Sequence, residues 1–188
     1  MRPWLPPPVL TLLTVLNLCT APLLAADPAP FGAWTLAAAP DLRQLIAAAT
    51  APMNFLVRPI ARSRLAKTNE AYRTLTLVRG ERTFSVQFDQ RPALVMPADG
   101  SAVPWTREDG ETFRIAARME QDALVQTFQA ADGTRTNVFR PDPATGGLTL
   151  AVRITSPRLP APLEYALGYR GGTRTLIPAG SAAARGIP

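Results

Sequence analysis

The stretch Phe-Gly-Ala-Trp-Thr-Leu at residues 31–36 predicts a short strand, and the order of the elements that follow it decides the fold. Helical residues come next, between about 41 and 67, and they are divided by Pro52 and Pro59, because proline interrupts a helix interior. Beyond residue 73 the apolar side chains recur at every second position, which is typical of strands with one buried face. The sequence therefore predicts a strand, a pair of helices and then a long run of hairpins.

Glycine-containing turns separate the alternating segments and give about ten strands in total. The turn signals are Arg79-Gly80-Glu81, Asp99-Gly100, Glu108-Asp109-Gly110-Glu111 and Asp132-Gly133. Short antiparallel connections with regular alternation predict a mainly β fold, an antiparallel up-and-down barrel in which closure removes the exposed sheet edges. An open sheet wrapped around the two helices would show the same alternation, so the pattern leaves both arrangements open.

The two ends of the chain differ in composition from the middle. Met1–Ala26 has a basic start, an apolar run and small residues before the cleavage point, which predicts a cleaved signal peptide and a periplasmic or secreted protein. Cys19 follows Leu18, which is too large for a lipidation signal, so we do not expect a lipid anchor there. Residues 27–170 are expected to form the barrel domain, and residues 171–188 a disordered tail.

Composition excludes several classes of site. The chain has 20 basic and 14 acidic residues, a net charge of +6, one cysteine and no histidine. Without histidine, zinc centres, serine–histidine triads and cysteine–histidine pairs lack their usual ligand or base, so we expect neither a cofactor nor an enzyme. An isomerase or lyase built from Tyr, Arg and carboxylates is a third and weaker hypothesis. No nucleic-acid-binding motif is present, so nucleic acid is not an expected partner, and the sequence predicts no oligomeric state.

The helical segment combines positive charge with apolar residues. Its basic run is Arg58, Arg62, Arg64 and Lys67, and the apolar residues nearby are Met53, Phe55, Leu56 and Ile60. One interpretation is weak docking on an anionic membrane surface, where a lid could open. The other, which we favour from the sequence, is a solvated helix face whose apolar side covers the mouth of the barrel.

Gly32-x-Trp34 on the first strand, the helices before the second strand and the meander ending in tyrosine-rich strands resemble the calycin barrels. The similarity is greatest to the fatty-acid-binding-protein type, in which a two-helix lid lies between strands one and two. Lipocalins share the Gly-x-Trp start but usually have eight strands and a helix after the barrel. The segment Ser156–Pro160 also resembles one in small exported lipocalin-like proteins of Gram-negative bacteria. The resemblance covers about residues 31–170.

The resemblance implies an apolar interior that binds a hydrophobic or lipid-like small molecule. The residues expected to face this interior are Phe84, Val86, Phe88, Phe113, Ile115, Phe128, Tyr165 and Tyr169. Gly32 and Trp34 would be structural, with Trp34 plugging the barrel base against an arginine from a late strand. The alternative is a filled barrel with no cavity, serving as a scaffold or interaction protein of the cell envelope.

One departure from the fatty-acid binders concerns the acidic group of the ligand. Those proteins often end in Arg-x-Tyr, whose two side chains hold the carboxylate, whereas Leu167 stands two residues before Tyr169 here. Arg114, Arg135 and Arg153 are the candidates for an inward charge instead. Arg153 alternates with the apolar residues of its strand, which predicts that it points to solvent.

Overall fold

Ten antiparallel strands and two helices make up residues 29–171, the part of the chain that the computed structural model describes. In chain order they are β1 (Gly32–Ala38), α1 (Leu42–Thr50), α2 (Arg58–Thr68), β2 (Thr74–Arg79), β3 (Thr83–Phe88), β4 (Leu94–Pro97), β5 (Val103–Thr106), β6 (Thr112–Glu120), β7 (Ala123–Ala130), β8 (Gly133–Asp142), β9 (Gly147–Thr155) and β10 (Leu163–Gly171). The predicted mainly β fold with a helical pair between the first two strands is confirmed. The predicted signal peptide and Cys19 lie outside the described residues, as does the predicted tail beyond Gly171.

Pairing of the first strand with the last brings the sheet round into a barrel. β1 forms antiparallel ladders with both β2 and β10, so the strand order runs from β4 back to β1 and then from β10 down to β5. β4 and β5 stand at the two ends of this order, and within residues 29–171 no ladder joins them. The result is a nearly closed barrel, which decides against an open sheet wrapped around the helices.

Successive links of an antiparallel meander alternate between the two ends of the barrel. The links β2–β3, β4–β5, β6–β7 and β8–β9 share one end, which we call the packed end, and the other five, including the helical link between β1 and β2, share the mouth end. The inward side chains near the packed end include Leu77, Met96, Leu124, Phe139 and Leu148, each at most 1 % exposed. Here the apolar alternation has produced a filled core, as small barrels allow.

The two helices form a hairpin held by its own polar contacts. Asp41 caps α1, because its carboxylate accepts a hydrogen bond from the backbone N–H of Gln44 at 3.1 Å. α2 begins at Arg58, so Pro59 lies in its first turn, where no backbone N–H is needed. The Arg62 guanidinium donates to the Thr50 hydroxyl at 3.0 Å and joins the helices. Neither helix in residues 29–171 is long and apolar enough to cross a membrane.

Trp34 lies on β1 opposite Gly171 of β10. Its indole approaches within 3.5 Å of where a Cβ would stand on Gly171, and its Nε1 donates to the carbonyl oxygen of Pro30 at 2.9 Å. The sequence predicted an arginine against the ring of Trp34, but no cation–π pair within residues 29–171 includes Trp34. Because Gly171 has no side chain, the indole ring of Trp34 occupies the space beside it. Gly32 has a φ of +141°, a conformation that favours glycine.

Candidate ligand-binding cavity

A cavity of about 820 Å³ lies at the mouth end of the barrel. Its walls come from α2 and from the links at that end, with Leu94, Trp105, Phe113, Phe128 and Ile154 contributed by the neighbouring strand ends. The packed-end side chains named above do not line it. The interior of the barrel is therefore divided along its axis into a filled half and a hollow half.

Two groups of aromatic rings form much of the apolar wall. Trp105, Phe113 and Phe128, from β5, β6 and β7, have ring centroids 5.6 to 6.3 Å apart, and two of the three pairs meet edge-on. A second pair, Tyr72 and Phe88, packs with its centroids 4.5 Å apart. Rings at these spacings stabilise one another, so the wall keeps its shape through contacts within the protein.

One face of α2 covers part of the cavity. Ala61, Leu65 and Thr68 follow the helical spacing i, i+4 and i+7 and all line the space, and Met53 adds a flexible thioether from the link before α2. The interpretation that the apolar residues of the helical segment cover the mouth therefore holds for Met53, which lines the cavity. It is wrong for Phe55, Leu56 and Ile60, whose side chains are 72 %, 68 % and 62 % exposed.

Arg135 brings a positive charge into this largely apolar space. It lies third in β8, alternates in step with Asn137 and Phe139, and lines the cavity. Its guanidinium donates to Oδ1 of Asn137 at 2.9 Å, to the carbonyl oxygen of Thr68 at 2.8 Å and to the hydroxyl of Tyr165 at 3.5 Å. Among the ion pairs of residues 29–171, none includes Arg135. Its charge is held by neutral acceptors, which leaves it able to bind an acidic group.

Asn69 and Tyr165 complete the polar contact between the end of α2 and the barrel wall. The Tyr165 hydroxyl donates to Oδ1 of Asn69 at 2.9 Å, and Nδ2 of Asn69 donates to the carbonyl oxygen of Leu65 at 2.9 Å. Burial raises the pKa of Tyr165, while the nearby Arg135 charge acts in the opposite direction. The phenol is thus a proton donor throughout the neutral pH range.

A buried pair of amides continues this polar line toward the packed end. Nδ2 of Asn137 donates to Oε1 of Gln126 at 2.9 Å, and Nε2 of Gln126 lies 3.5 Å from the sulfur of Met96. Both amides are buried, and no buried side-chain polar atom of the described chain lacks a hydrogen-bond partner. Because an unsatisfied buried amide is costly, these pairings hold the side chains in one arrangement.

Acidic neighbours neutralise two arginines at the rim of the cavity. The Arg107 guanidinium lies 2.6 Å from Asp109 and 2.5 Å from Glu111. The hydrogen bond from Arg107 lowers the pKa of Asp109 to about 2, and the same bond raises the pKa of Arg107. Arg91 pairs in the same way with Glu70 at 2.6 Å. These rim charges are compensated, in contrast to the guanidinium that faces the interior.

The structure places the predicted wall residues at different depths. Three of them line the cavity: Phe88, Phe113 and Phe128. Three others are at most 2 % exposed and belong to the hydrophobic core: Phe84, Val86 and Ile115. Tyr165 and Tyr169 are buried beside the cavity wall, and the Tyr169 hydroxyl donates to the carbonyl oxygen of Tyr72 at 3.1 Å. Their roles in ligand binding stay predictions.

Of the three arginines considered for an inward charge, Arg135 alone faces the interior. Arg153 is exposed and pairs with Glu164 at 3.1 Å, so its predicted outward position is confirmed. Arg114 is also exposed, and its guanidinium donates to the carbonyl oxygen of Ala102 at 3.3 Å. The charge available to a ligand inside the barrel therefore comes from β8.

Trp105, Asn69 and Asn137 are cavity or network residues that sequence reasoning did not single out. A signal existed for Asn137, because it alternates in step with the apolar Phe139 on one strand. Nothing local marks Asn69, whose contact with Arg135 joins positions 66 residues apart in the sequence. Only the folded chain brings those two side chains together.

No protein-family model and no curated protein matches the chain. Solved structures share its fold. The REP1-NXSQ fatty acid transporter superposes with a TM-score of 0.50 and 12 % sequence identity, over 76 % of this chain and 95 % of that one. A point mutant of that transporter gives 0.50 and 10 % over 76 % and 97 %, and human cRBP IV gives 0.49 and 11 % over 76 % and 97 %.

The two matches with a TM-score of 0.50 show that this chain shares the barrel fold of that transporter, an architecture of the kind that the resemblance in the sequence predicted. At this level of identity they concern the fold alone. The similarity to exported lipocalin-like bacterial proteins stays a prediction.

Proposed function

We propose that the protein binds an elongated hydrophobic small molecule with an acidic head group in the cavity at the mouth end. The observation that carries this proposal is the hollow half of the barrel, about 820 Å³ with aromatic walls. A volume of this size lies within the roughly 300–1,000 Å³ that is usual for small-molecule sites. The shared fold with a protein described as a fatty acid transporter supports the same class of ligand.

The apolar part of the ligand would be stabilised by burial against the aromatic wall. Each methylene group removed from water contributes about 0.8 kcal/mol. Trp105, Phe113 and Phe128 offer flat apolar surfaces that require no directed hydrogen bond from the ligand. The walls would therefore accept acyl chains of several lengths and select weakly among them.

The head group would be held by Arg135. A guanidinium binds a carboxylate through two parallel N–H···O bonds, which are stronger than its bonds to neutral acceptors. The hydroxyl of Tyr165, 3.5 Å from the guanidinium, donates its proton to Asn69 and so helps to hold Arg135 in place. This arrangement takes the place of the Arg-x-Tyr pair that the last strand lacks.

The proposal leaves the other hypotheses weaker. The cavity argues against a barrel that is filled throughout its length. Of the four carboxylates that line the cavity, Asp109, Glu111 and Asp132 form ion pairs with rim arginines and Glu108 is exposed, so we propose no catalytic step. We also propose export to the periplasm or the exterior, on the sequence pattern of residues 1–26.

The test is displacement of a fluorescent fatty-acid probe by a fatty acid and by the fatty alcohol of the same chain length. We expect the wild-type protein to bind the acid about 10- to 100-fold more tightly, since a hydrogen bond to a charged group contributes about 1.5–3 kcal/mol. In Arg135→Met this preference should vanish, while the alcohol binds as before.

Arg153→Met is the matched control, because Arg153 lies on the outer face of the barrel, paired with Glu164. It should leave both affinities unchanged. Native mass spectrometry of the protein isolated from its natural host would identify the class of any bound molecule. A protein free of bound molecules that also fails to bind the probe would contradict the proposal and favour the scaffold hypothesis.

A further inference from the structure

Three aromatic rings on one side of the cavity present their faces in two nearly perpendicular directions. Trp105 and Phe113 are opposite each other in the β5–β6 ladder, and their rings are tilted by 39° with centroids 5.6 Å apart. The ring of Phe128 stands at 72° to that of Trp105 and at 88° to that of Phe113. All three residues line the cavity, and we call them the aromatic corner.

A positively charged side chain already packs on the aromatic corner. The guanidinium carbon of Arg107 lies 5.3 Å from the centroid of the Phe113 ring. The face of an aromatic ring is the negative part of its quadrupole and attracts cations, most strongly in tryptophan. Within residues 29–171 no cation–π pair includes Trp105 or Phe128. The corner therefore has two rings whose faces are available to a cationic group of a ligand.

The charged residues that line the cavity have opposite signs on its two sides. The β5–β6 link at residues 107–111, next to the aromatic corner, has one basic and three acidic side chains, a net charge of −2. Within the described part of the chain no ion pair includes Glu108 of this link. On the other side α2 contributes Arg64 and Lys67, and β8 contributes Arg135. This charge distribution favours a ligand whose positive group lies toward the corner and whose negative group lies toward Arg135.

The aromatic corner and the Arg135 guanidinium are close together without touching. Phe128 is directly opposite Arg135 in the β7–β8 ladder, where Cβ atoms are about 4.5–5.5 Å apart. The guanidinium itself is drawn toward α2 and β10, since it donates to the carbonyl oxygen of Thr68 and to the Tyr165 hydroxyl. Among the described residues it forms no cation–π pair. A ligand with opposite charges a few ångströms apart would therefore reach both groups.

We infer that the ligand is zwitterionic, with its acidic group bound by Arg135 and a quaternary ammonium group against the aromatic corner. This assignment rests on the proposed function and adds a second charge to the head group. A quaternary ammonium fits better than a primary one, because it has no N–H groups that would lose hydrogen bonds to water on burial. The acyl chain would lie along Tyr72, Phe88 and Leu65, which line the rest of the apolar wall.

The test is displacement of the fluorescent fatty-acid probe by two matched pairs of lipids, each below its micelle-forming concentration. Lysophosphatidylcholine and lysophosphatidylglycerol share a phosphate, and palmitoylcarnitine and palmitate share a carboxylate. Only the first member of each pair carries a quaternary ammonium. We expect that member to bind about 10- to 30-fold more tightly in at least one pair, as a desolvated cation–π contact predicts. The pair with the larger preference identifies the acidic group as phosphate or carboxylate.

Variants of one ring separate a cation–π contact from simple apolar packing. Trp105→Leu keeps an apolar side chain but removes the indole face, so it should abolish most of the preference for the ammonium while the affinity for lysophosphatidylglycerol changes little. Trp105→Phe should restore part of the preference. Phe31→Leu is the matched control, because Phe31 stacks on Phe84 with centroids 5.9 Å apart and does not line the cavity. It should keep the full preference.

The zwitterionic ligand would be overturned if neither pair of lipids showed the preference, or if Phe31→Leu reduced it as much as Trp105→Leu. Either result would leave the proposed function standing, because the lipids without an ammonium would still bind. Binding of none of the four lipids would contradict the proposed function and the zwitterionic ligand together.

Discussion

The two ends of the barrel are built from the same alternating strands, yet one is filled and the other is hollow. Near the packed end β7 and β8 contribute Leu124 and Phe139, which are completely buried. Near the mouth end the same two strands contribute Phe128 and Arg135, and a cavity of about 820 Å³ remains between the walls. Alternation decides which side chains face the interior, whereas their size and polarity decide whether the interior fills.

Residues that stabilise the fold and residues that bind a ligand are therefore expected to lie at opposite ends of the barrel. A side chain at the packed end has neighbours on all sides, and removing it leaves a cavity that the surrounding core fills only in part. A ring at the mouth end faces open space on one side and so has fewer contacts to lose. We therefore expect the packed end to supply most of the stability and the mouth end to supply the affinity for a ligand.

The largest effect is expected for Phe139→Ala at the packed end. Phe139 is completely buried and packs against Phe88 with ring centroids 6.3 Å apart. Its truncation should lower the free energy of unfolding by about 3–5 kcal/mol, measured by denaturant titration. Phe113→Ala at the mouth end should lower it clearly less but weaken binding of the fatty-acid probe. Equal losses of stability in the two variants would show that the mouth end is filled as well.

An intermediate effect is expected where glycine permits a close approach of strands. A Cβ on Gly147 would lie 2.7 Å from the carbonyl oxygen of Tyr169, and one on Gly133 would lie 2.8 Å from that of Thr155. Gly147→Ala should lower the free energy of unfolding by about 1–3 kcal/mol, because backbone must move to relieve the overlap. Gly133→Ala, at the half-buried first residue of β8 near the mouth, should cost less. The reverse order would show that the mouth end is the more rigid of the two.

The smallest effect concerns alkaline pH and the two tyrosines beside the cavity wall. Burial raises the pKa of Tyr165 and of Tyr169 above the value of about 10 of an exposed tyrosine. The unfolded chain therefore ionises first, so this contribution to stability is complete below about pH 10 and is lost as pH rises further. Each tyrosine adds a slope of up to about 1.4 kcal/mol per pH unit.

The tyrosine prediction is checked by measuring unfolding between about pH 8 and about pH 11 in the wild type and in Tyr165→Phe/Tyr169→Phe. The double variant should show the shallower loss above about pH 10. It should also be less stable at neutral pH, since it loses two hydrogen bonds worth about 1 kcal/mol each. An unchanged alkaline slope would mean that neither hydroxyl is shielded from water.

Local chemistry was enough to predict the elements and many of the buried positions. Asp41 caps α1, as its residue type indicates. Phe84, Val86 and Phe88 share the inward face of β3, which follows from a period of two. These features depend on neighbours within a few residues along the chain, and that is why a pattern can reveal them.

Two features could not be predicted from the sequence, because they depend on residues that are far apart along the chain. One is the position of the Trp34 indole, because the register of β1 against β10 places it opposite Gly171. Ile60 was expected to cover the mouth, but the packing of α2 turns Leu65 toward the cavity and leaves Ile60 in water. The register of a strand and the rotation of a helix about its axis depend on contacts throughout the barrel.

The sequence by itself determined the order of the elements, the caps and turns, and the face of each strand that lies inside. The tertiary structure alone decided that the barrel nearly closes, that its mouth half is hollow, and that Arg135 and Tyr165 meet Asn69 at the end of α2. The physical reason is distance along the chain: Tyr165 and Asn69 are 96 residues apart and touch because β1 pairs with β10. A cavity is the space left between such distant walls, and no local pattern encodes its volume.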